Sequence, residues 1–179
     1  MKLQTTDAAA LRELLDRSAL EDLAMRYARG IDRRDRAMLL SCYHPDAVDE
    51  HGTMFTGDPV AFADWQPEVM GPFDNSAHYI LNKLYRIDGD KAEGELYFYG
   101  IHRTHPPEAR EVTVCGRYLD RYERRAGEWR ISHRSLVWDF VRDDPVVPAA
   151  RAFLEGLGEL GKGEDDMSYA ALPLLRVPG

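Results

Sequence analysis

Hydrophobic positions follow two different periods along this chain, and the period changes near residue 75. Before that point, apolar side chains recur three and four residues apart, as on one face of an α-helix. In segment 7–17 these side chains are Leu11, Leu14 and Leu15. After it come four long segments rich in Tyr, Ile, Val and Phe, at 76–87, 91–104, 111–124 and 128–142. Such composition is typical of β-strands, so the pattern predicts helices first and a sheet afterwards.

Capping signals place further helices in the N-terminal part. Ser18 and Glu21 form a capping box, so we expect a second helix to begin at Ser18. Asp35 is expected to cap a third, short helix, and Asp58 followed by Pro59 to begin a fourth. The apolar face of the second helix comprises Leu20, Leu23, Ala24, Tyr27, Ala28 and Ile31. A helix with such a face packs against a core.

Turn residues separate the predicted strands. We expect a turn at 44–46, followed by a short strand at 47–51. Asp88-Gly89 is a strong hairpin signal, Ala126-Gly127 joins the last two strands, and 105–107 forms a longer bend. Helices followed by an antiparallel meander predict an α+β fold. A strongly curved sheet wrapped over the helices would form a cone-shaped barrel with an internal pocket.

Chain length and net charge limit the number of domains and the kinds of partner. The chain has 179 residues, so we expect one domain over 1–147, with 148–179 as a C-terminal helix and tail of the same domain. The net charge of −8, without a basic stripe, argues against nucleic acid as a partner. No apolar run reaches the roughly 20 residues that cross a bilayer, and the N-terminus has no signal-peptide core. We therefore expect a cytoplasmic protein without a membrane partner, whose Cys42 and Cys115 are reduced thiols.

One carboxylate and one imidazole are the leading candidates for chemistry. Asp32 stands at the end of a predicted helix, and His78 lies on the first long strand, on a face shared with Ile80 and Asn82. A buried Asp can hold a neutral His in the tautomer that accepts a proton, without metal or cofactor. Alternatively, Asp32 is a polar helix end paired with Arg29 or Arg33.

Other polar residues on apolar faces are secondary candidates. His102 shares a strand face with Gly100, which suits either a core or a pocket wall. Tyr27 lies on the apolar helix face, where its hydroxyl needs a partner if it is buried. Arg134 alternates with Leu136 and Trp138, an unusual place for a charge unless it meets a carboxylate or a substrate anion.

The run from 44 to 51 holds the densest set of potential metal ligands, namely His44, Asp46, Asp49, Glu50 and His51. A site of two histidines and one carboxylate would suit iron. However, the chain has no HExxH or CxxC motif, and the run is more simply a turn that enters a strand. We therefore expect no metal and no cofactor, and place His51 at the mouth of the pocket.

Several stretches carry a family resemblance. They are Tyr27-x4-Asp32-x2-Asp35, the segment 44–52, the strand around His78, and the segments 116–122 and 129–134. Together they resemble the SnoaL-like group of the nuclear-transport-factor-2-like superfamily, over roughly residues 15–142. Scytalone dehydratase and ketosteroid isomerase are members of this superfamily. The resemblance implies the α+β cone, but not one reaction, because this fold hosts many functions.

The resemblance also implies roles for individual residues. In the dehydratases and the dehydrochlorinase of the superfamily, an Asp that ends the helix pairs with a His on the first long strand, and Asp32 and His78 match these positions. Tyr27 matches a tyrosine of bile-acid dehydratase, whereas the dehydrochlorinase carries a lysine there. His102 falls near a second histidine of scytalone dehydratase, and Arg134 near an arginine of the family.

The expected function is therefore that of a cofactor-independent lyase acting on a small hydroxylated aromatic or cyclic substrate, by loss of water or retro-aldol loss of formaldehyde. The expected catalytic residues are Asp32, His78, Tyr27 and His102, and the expected substrate-binding residues are Arg134, His51 and Asn82. Two alternatives stay open: an isomerase or cyclase with the same pair, and a non-catalytic subunit like those of ring-hydroxylating dioxygenases. A homo-oligomer, dimer or trimer, is expected in each case.

Overall fold

A computed structural model describes residues 5–107, 109–146 and 161–176. Its helices are α1 (Thr5–Asp32), α2 (Arg36–Ser41), α3 (Pro59–Met70) and α4 (Met167–Ala171). Its strands are β1 (Tyr43–Glu50), β2 (Thr56–Gly57), β3 (Phe73–Asp88), β4 (Lys91–Thr104), β5 (Arg110–Arg125) and β6 (Glu128–Pro145). The four predicted long strands are thus confirmed. The predicted C-terminal helix around Phe153 to Leu160 lies outside the described residues.

The six strands form one curved mixed sheet in the order β2-β1-β6-β5-β4-β3. All neighbours are antiparallel except β1 and β6, which run parallel. The tight turns predicted between the long strands are present, and Gly89, Ala126 and Gly127 adopt the positive φ angles of 59°, 52° and 86° that such turns favour. The predicted α+β cone is confirmed, although the sheet stays open instead of closing into a barrel.

Helix α1 is a single element, so the prediction of a separate helix beginning at Ser18 is wrong. A capping box is also compatible with a helix interior, and no Gly or Pro interrupts residues 5–29. From Leu20 onwards the inner face of α1 is buried against the sheet, whereas Leu11, Leu14 and Leu15 are exposed. The packed half thus stabilises a helix that extends beyond the core, because propagation costs little once a helix is formed.

Strand β1 begins at Tyr43, so the turn predicted at 44–46 is instead an irregular part of a strand. The register with β6 runs from Tyr43 opposite Ile131 to Val48 opposite His133, which leaves extra residues on β1. Pro45 lies within them, and proline cannot donate a ladder hydrogen bond. The bulge therefore replaces the predicted turn.

A second bulge changes which side chains of β3 point inwards. Ile80 pairs with Phe98 and Lys83 with Leu96, so β3 carries one extra residue between them. Before the bulge the even-numbered side chains face the core, and after it Tyr85 does. Asn82 is therefore exposed, and the prediction that it shares the face of His78 is wrong.

The C-terminal segment 161–176 packs against the end of α1. The backbone N–H of Gly163 donates to the carbonyl of Arg33 over 2.5 Å. The hydroxyl of Tyr169 donates to the carboxylate of Asp35 over 2.5 Å. No helix within the described ranges is long and apolar enough to cross a membrane.

Candidate active site

A cavity of about 280 Å³ opens between α1, α3 and the inner face of the sheet. Its walls are mainly apolar and aromatic, with side chains such as Phe73, Phe98, Val114, Leu136 and Trp65. The polar groups on its walls include Tyr27, His51, His78 and His102. An apolar cavity with a few convergent polar groups is the usual form of a small-molecule site.

The Asp32 carboxylate holds His78 at two points. Its Oδ1 lies 2.7 Å from Nδ1 of the imidazole, and its Oδ2 accepts the backbone N–H of His78 over 2.9 Å. Both side chains are about one-tenth exposed. With Nδ1 as the donor to the carboxylate, a neutral imidazole keeps its lone pair on Nε2, which has no hydrogen-bond partner among the described residues. The two predicted partners are thus in contact.

The alternative pairing of Asp32 with a neighbouring arginine is not what the structure contains. The guanidinium of Arg33 forms an ion pair of 2.9 Å with Asp166, and that of Arg29 donates to the hydroxyl of Ser168 over 2.9 Å. Both partners belong to the C-terminal segment. This segment therefore binds both of the arginines considered as alternative partners of Asp32, and the carboxylate contacts His78 instead.

His102 lies beside His78 as a second, neutral imidazole. The ring centroids are 5.1 Å apart, and Nδ1 of His102 lies 3.1 Å from the hydroxyl oxygen of Ser76. Burial, with a smaller contribution from the neighbouring His78, lowers the pKa of His102 to about 4. An imidazole with this pKa is neutral near pH 7 and can donate or accept a hydrogen bond without carrying charge.

Gly100 provides the space for these two rings. It pairs with His78 across β3 and β4. A Cβ at this position would lie 3.1 Å from Nε2 of His102 and 3.5 Å from Cδ2 of His78. We did not assign Gly100 a role from the sequence, although a glycine in a strand interior often marks a close approach of other groups.

Arg134 does not line the cavity, so its predicted direct role in substrate binding is not supported. It is 1% exposed and makes two contacts of 2.7 and 2.6 Å with Asp120, its cross-strand partner. Its guanidinium carbon lies 3.9 Å from the ring centre of Tyr27 and 4.1 Å from that of Tyr118. A buried guanidinium needs a carboxylate, and Asp120 was the partner that the sequence analysis missed. Arg134 thus supports the cavity wall from behind.

Tyr27 is buried and forms part of the cavity wall. Burial raises its pKa above the ordinary value for tyrosine, and the positive charge of Arg134 only partly offsets this rise. The phenol therefore keeps its proton at neutral pH. Its hydroxyl can donate a hydrogen bond to a substrate oxygen.

A second carboxylate–imidazole pair lies on another wall. Nδ1 of His51 is 2.6 Å from Oδ1 of Asp49, in an ion-pair contact that is not a linear hydrogen bond. Asp49 is fully buried and accepts the hydroxyl of Tyr43 over 2.5 Å. The ring of His51 stacks on Phe62 with centroids 5.0 Å apart. The prediction that His51 reaches the pocket agrees with this position.

The other potential ligands of the 44–51 run point to different partners. Nε2 of His44 lies 2.9 Å from the carbonyl of Glu123, and Asp46 pairs with Arg125 over 2.5 Å. Glu50 accepts the hydroxyl of Ser135 over 2.7 Å. Within the described ranges, no three His, Cys, Asp or Glu side chains converge as metal ligands.

Comparison with solved structures supports the fold. A hexachlorocyclohexane dehydrochlorinase (LinA, type 2) superposes with a TM-score of 0.68 at 23% identity, over 78% of this chain and 94% of that one. A scytalone-dehydratase-like protein from Novosphingobium aromaticivorans gives a TM-score of 0.66 at 19% identity, over 75% and 91% of the two chains. At such identities the likeness establishes the fold alone.

Sequence comparison identifies the family. The uncharacterized protein Rv2910c of Mycobacterium tuberculosis is 27% identical over 128 residues, which cover 70% of this chain and 86% of the relative. The family model of the SnoaL-like domain matches residues 12–135, and this range includes Asp32, His78 and every residue that lines the cavity except Leu136. The resemblance inferred from the sequence motifs is thus confirmed, and the chain belongs to the SnoaL-like domain family.

Proposed function

We propose that this protein is a lyase that works by general acid–base catalysis on a small hydroxylated aromatic or cyclic substrate. The observation that carries this proposal is the contact between Asp32 and His78 at the wall of an apolar cavity. The fold shared with a dehydrochlorinase and a scytalone-dehydratase-like protein supports an elimination.

His78 is the proposed base. Its Nε2 removes a proton from the substrate, and the Asp32 carboxylate stabilises the imidazolium that forms. Removal of a proton from carbon with departure of a neighbouring hydroxyl gives water and an alkene. Removal of a proton from a hydroxyl instead breaks the adjoining carbon–carbon bond and releases formaldehyde, and the carbanion that is left takes the proton back from the imidazolium.

Tyr27 and His102 are proposed to orient the substrate oxygen. The protonated phenol of Tyr27 suits donation to an oxygen that gains negative charge. His102, neutral with a pKa of about 4, suits a hydrogen bond and not the transfer of a full charge.

The cavity limits the substrate to a small molecule. Its volume of about 280 Å³ lies at the lower end of the range of ligand pockets. Aromatic walls such as Phe73, Phe98 and Trp65 favour a planar or cyclic skeleton.

The test is mass spectrometry of products after chelator-treated protein is incubated with a panel of hydroxylated aromatic and alicyclic compounds, including diaryl propanediols. We expect a product lighter by one water or one formaldehyde, which Asp32→Asn no longer forms. Asp22→Asn is the matched control, because Asp22 lies on the same helix but pairs with Arg26 on the surface. A product of unchanged mass would replace the lyase by an isomerase. Normal turnover by Asp32→Asn would exclude the proposed base.

A homo-oligomer is also proposed, from the outer face of the sheet. Large apolar side chains are exposed there on four neighbouring strands, namely Tyr79, Tyr97, Leu119 and Phe140. Exposed apolar patches of this kind mark protein interfaces. Light scattering should give a dimer or trimer for the parent chain and a smaller species for Phe140→Glu.

A further inference from the structure

Two carboxylate–imidazole pairs reach the cavity through their imidazoles, and the proposed base belongs to only one of these pairs. His78 stands on the sheet, whereas His51 follows β1 and packs against Phe62 of α3. Both imidazoles line the same cavity. A substrate held between them would contact the imidazole of His78 from the sheet and that of His51 from the side of α3.

Within the described part of the chain, the surroundings of Asp49 contain two buried carboxylates but only one buried guanidinium. Asp49 and Asp120 are buried carboxylates, and Arg134 is a buried guanidinium within the same cluster of tyrosines. Arg134 is the register partner of Asp49, but both of its short contacts go to Asp120, and its Nη1 has no hydrogen-bond partner among the described residues. Asp49 otherwise receives only the hydroxyl of Tyr43, and a buried carboxylate without a cation is costly. His51, whose Nδ1 lies 2.6 Å away, is the group placed to supply the missing positive charge.

The two pairs differ in this respect. The Asp32 carboxylate also accepts a backbone N–H and is partly exposed, so it does not require a charged imidazole. Asp49 is fully buried. Two imidazoles that meet one cavity from such different surroundings are the arrangement that an acid and a base need.

We propose that His51, held by Asp49, is the general acid that protonates the leaving oxygen of the substrate. This inference rests on the proposed elimination. His78 takes the proton from carbon, the electron pair forms the new double bond, and the carbon–oxygen bond breaks. The oxygen takes a proton from His51 and departs as water. His51 ends neutral and His78 ends protonated, and exchange with solvent restores both.

A change of leaving group tests this role. A hydroxyl needs a proton to depart, whereas chloride does not. We compare His51→Gln and His78→Gln on a hydroxylated substrate found with the panel above and on its chloro analogue. We expect His51→Gln to lose about 10²–10⁴-fold in kcat on the hydroxylated substrate and to retain most activity on the chloro analogue. His78→Gln should lose both activities.

Solvent isotope exchange gives a second readout. In D₂O, His51→Gln should still exchange the substrate proton that His78 removes, without forming product. The control is His133→Gln, because His133 lies on β6, pairs with Glu50 and does not line the cavity. It should behave like the parent chain.

The outcomes separate the two proposals. Suppose that the parent chain eliminates water. If His51→Gln eliminates water at the same rate, or if it loses activity on the hydroxylated and the chloro substrate equally, the acid role of His51 is refuted while the elimination stands. If the parent chain eliminates neither water nor chloride, the proposed function fails first, and the role of His51 with it.

Discussion

Asp32 binds His78 through both its ring and its backbone, at 2.7 and 2.9 Å, although 46 residues separate them in the sequence. The backbone contact fixes the strand to the helix end, and the ring contact fixes the imidazole. Because both carboxylate oxygens are used, small movements of α1 against β3 would misalign the ring. The orientation of the base is therefore coupled to the packing of this helix on the sheet.

Asp32→Asn should lower turnover by about 10²–10⁴-fold, because an amide neither stabilises the imidazolium nor fixes the tautomer equally well. The side-chain shape is kept, so we expect the thermal midpoint to change little. Steady-state kinetics and thermal unfolding check both statements, with Asp22→Asn as the surface control. A large loss of stability with unchanged turnover per folded molecule would contradict the expectation.

Gly100→Ala should impair the site more than the fold. The new methyl group would lie 3.1 Å from Nε2 of His102, so this ring must move. We expect kcat to fall by roughly 10-fold or more, an estimate based on the sensitivity of catalysis to small misplacements.

Gly94→Ala on the same strand is the matched control, because its methyl group would crowd Tyr85, Leu96 and Tyr122, away from both imidazoles. It should lower the thermal midpoint and keep kcat. If Gly100→Ala keeps full kcat, the space beside His102 is not needed for turnover.

His102 should make the fold sensitive to acid. Its pKa is about 4 in the folded chain and about 6.5 when unfolded, so the unfolded chain binds more protons between these values. The free energy of unfolding should therefore fall as the pH decreases from about 6.5 to about 4. Urea unfolding at several pH values checks this.

In His102→Gln this part of the acid sensitivity should disappear, since glutamine does not titrate. The comparison is the difference in unfolding free energy between pH 7.5 and pH 4.5 for the two chains. Equal differences would show that His102 is not the group that titrates in this interval.

Asp166→Asn should disturb the site from outside the cavity. It removes the negative charge that pairs with Arg33 over 2.9 Å. Arg33 follows Asp32 directly and could then compete with His78 for the carboxylate. We expect a lower kcat with little change in KM.

Two controls accompany this variant. Asp165→Asn changes an exposed neighbour in the same segment and should leave kcat unchanged. Replacement of Arg33 by Gln in the Asp166→Asn background should restore kcat, because the competing cation is gone. Failure of this rescue would show that Asp166 acts through something other than Arg33.

The sequence predicted what depends on local patterns. The long strands, the caps at Asp35 and Asp58 and the hairpin turns follow from spacing and from residue types at the ends of elements. The predicted pairing of Asp32 with His78 came from the family resemblance, because no local rule brings a helix end to a strand 46 residues away.

The failures have physical causes that lie beyond local patterns. Asn82 was misplaced because one extra residue at the bulge reverses the side-chain alternation of β3. Arg134 was misread because its counterion Asp120 lies on a neighbouring strand. The contacts of Arg29 and Arg33 could not be predicted, since they depend on residues more than 130 positions away.

The docking of segment 161–176 bears on where the chain can be shortened. The family match ends at residue 135, whereas the groups that bind Arg29 and Arg33 lie beyond it, at Ser168 and Asp166. The surroundings of the proposed base therefore depend on residues outside the matched domain, although none of these residues lines the cavity. A chain shortened to the family boundary would free both arginines beside Asp32, and its activity would be a poor guide to that of the longer chain.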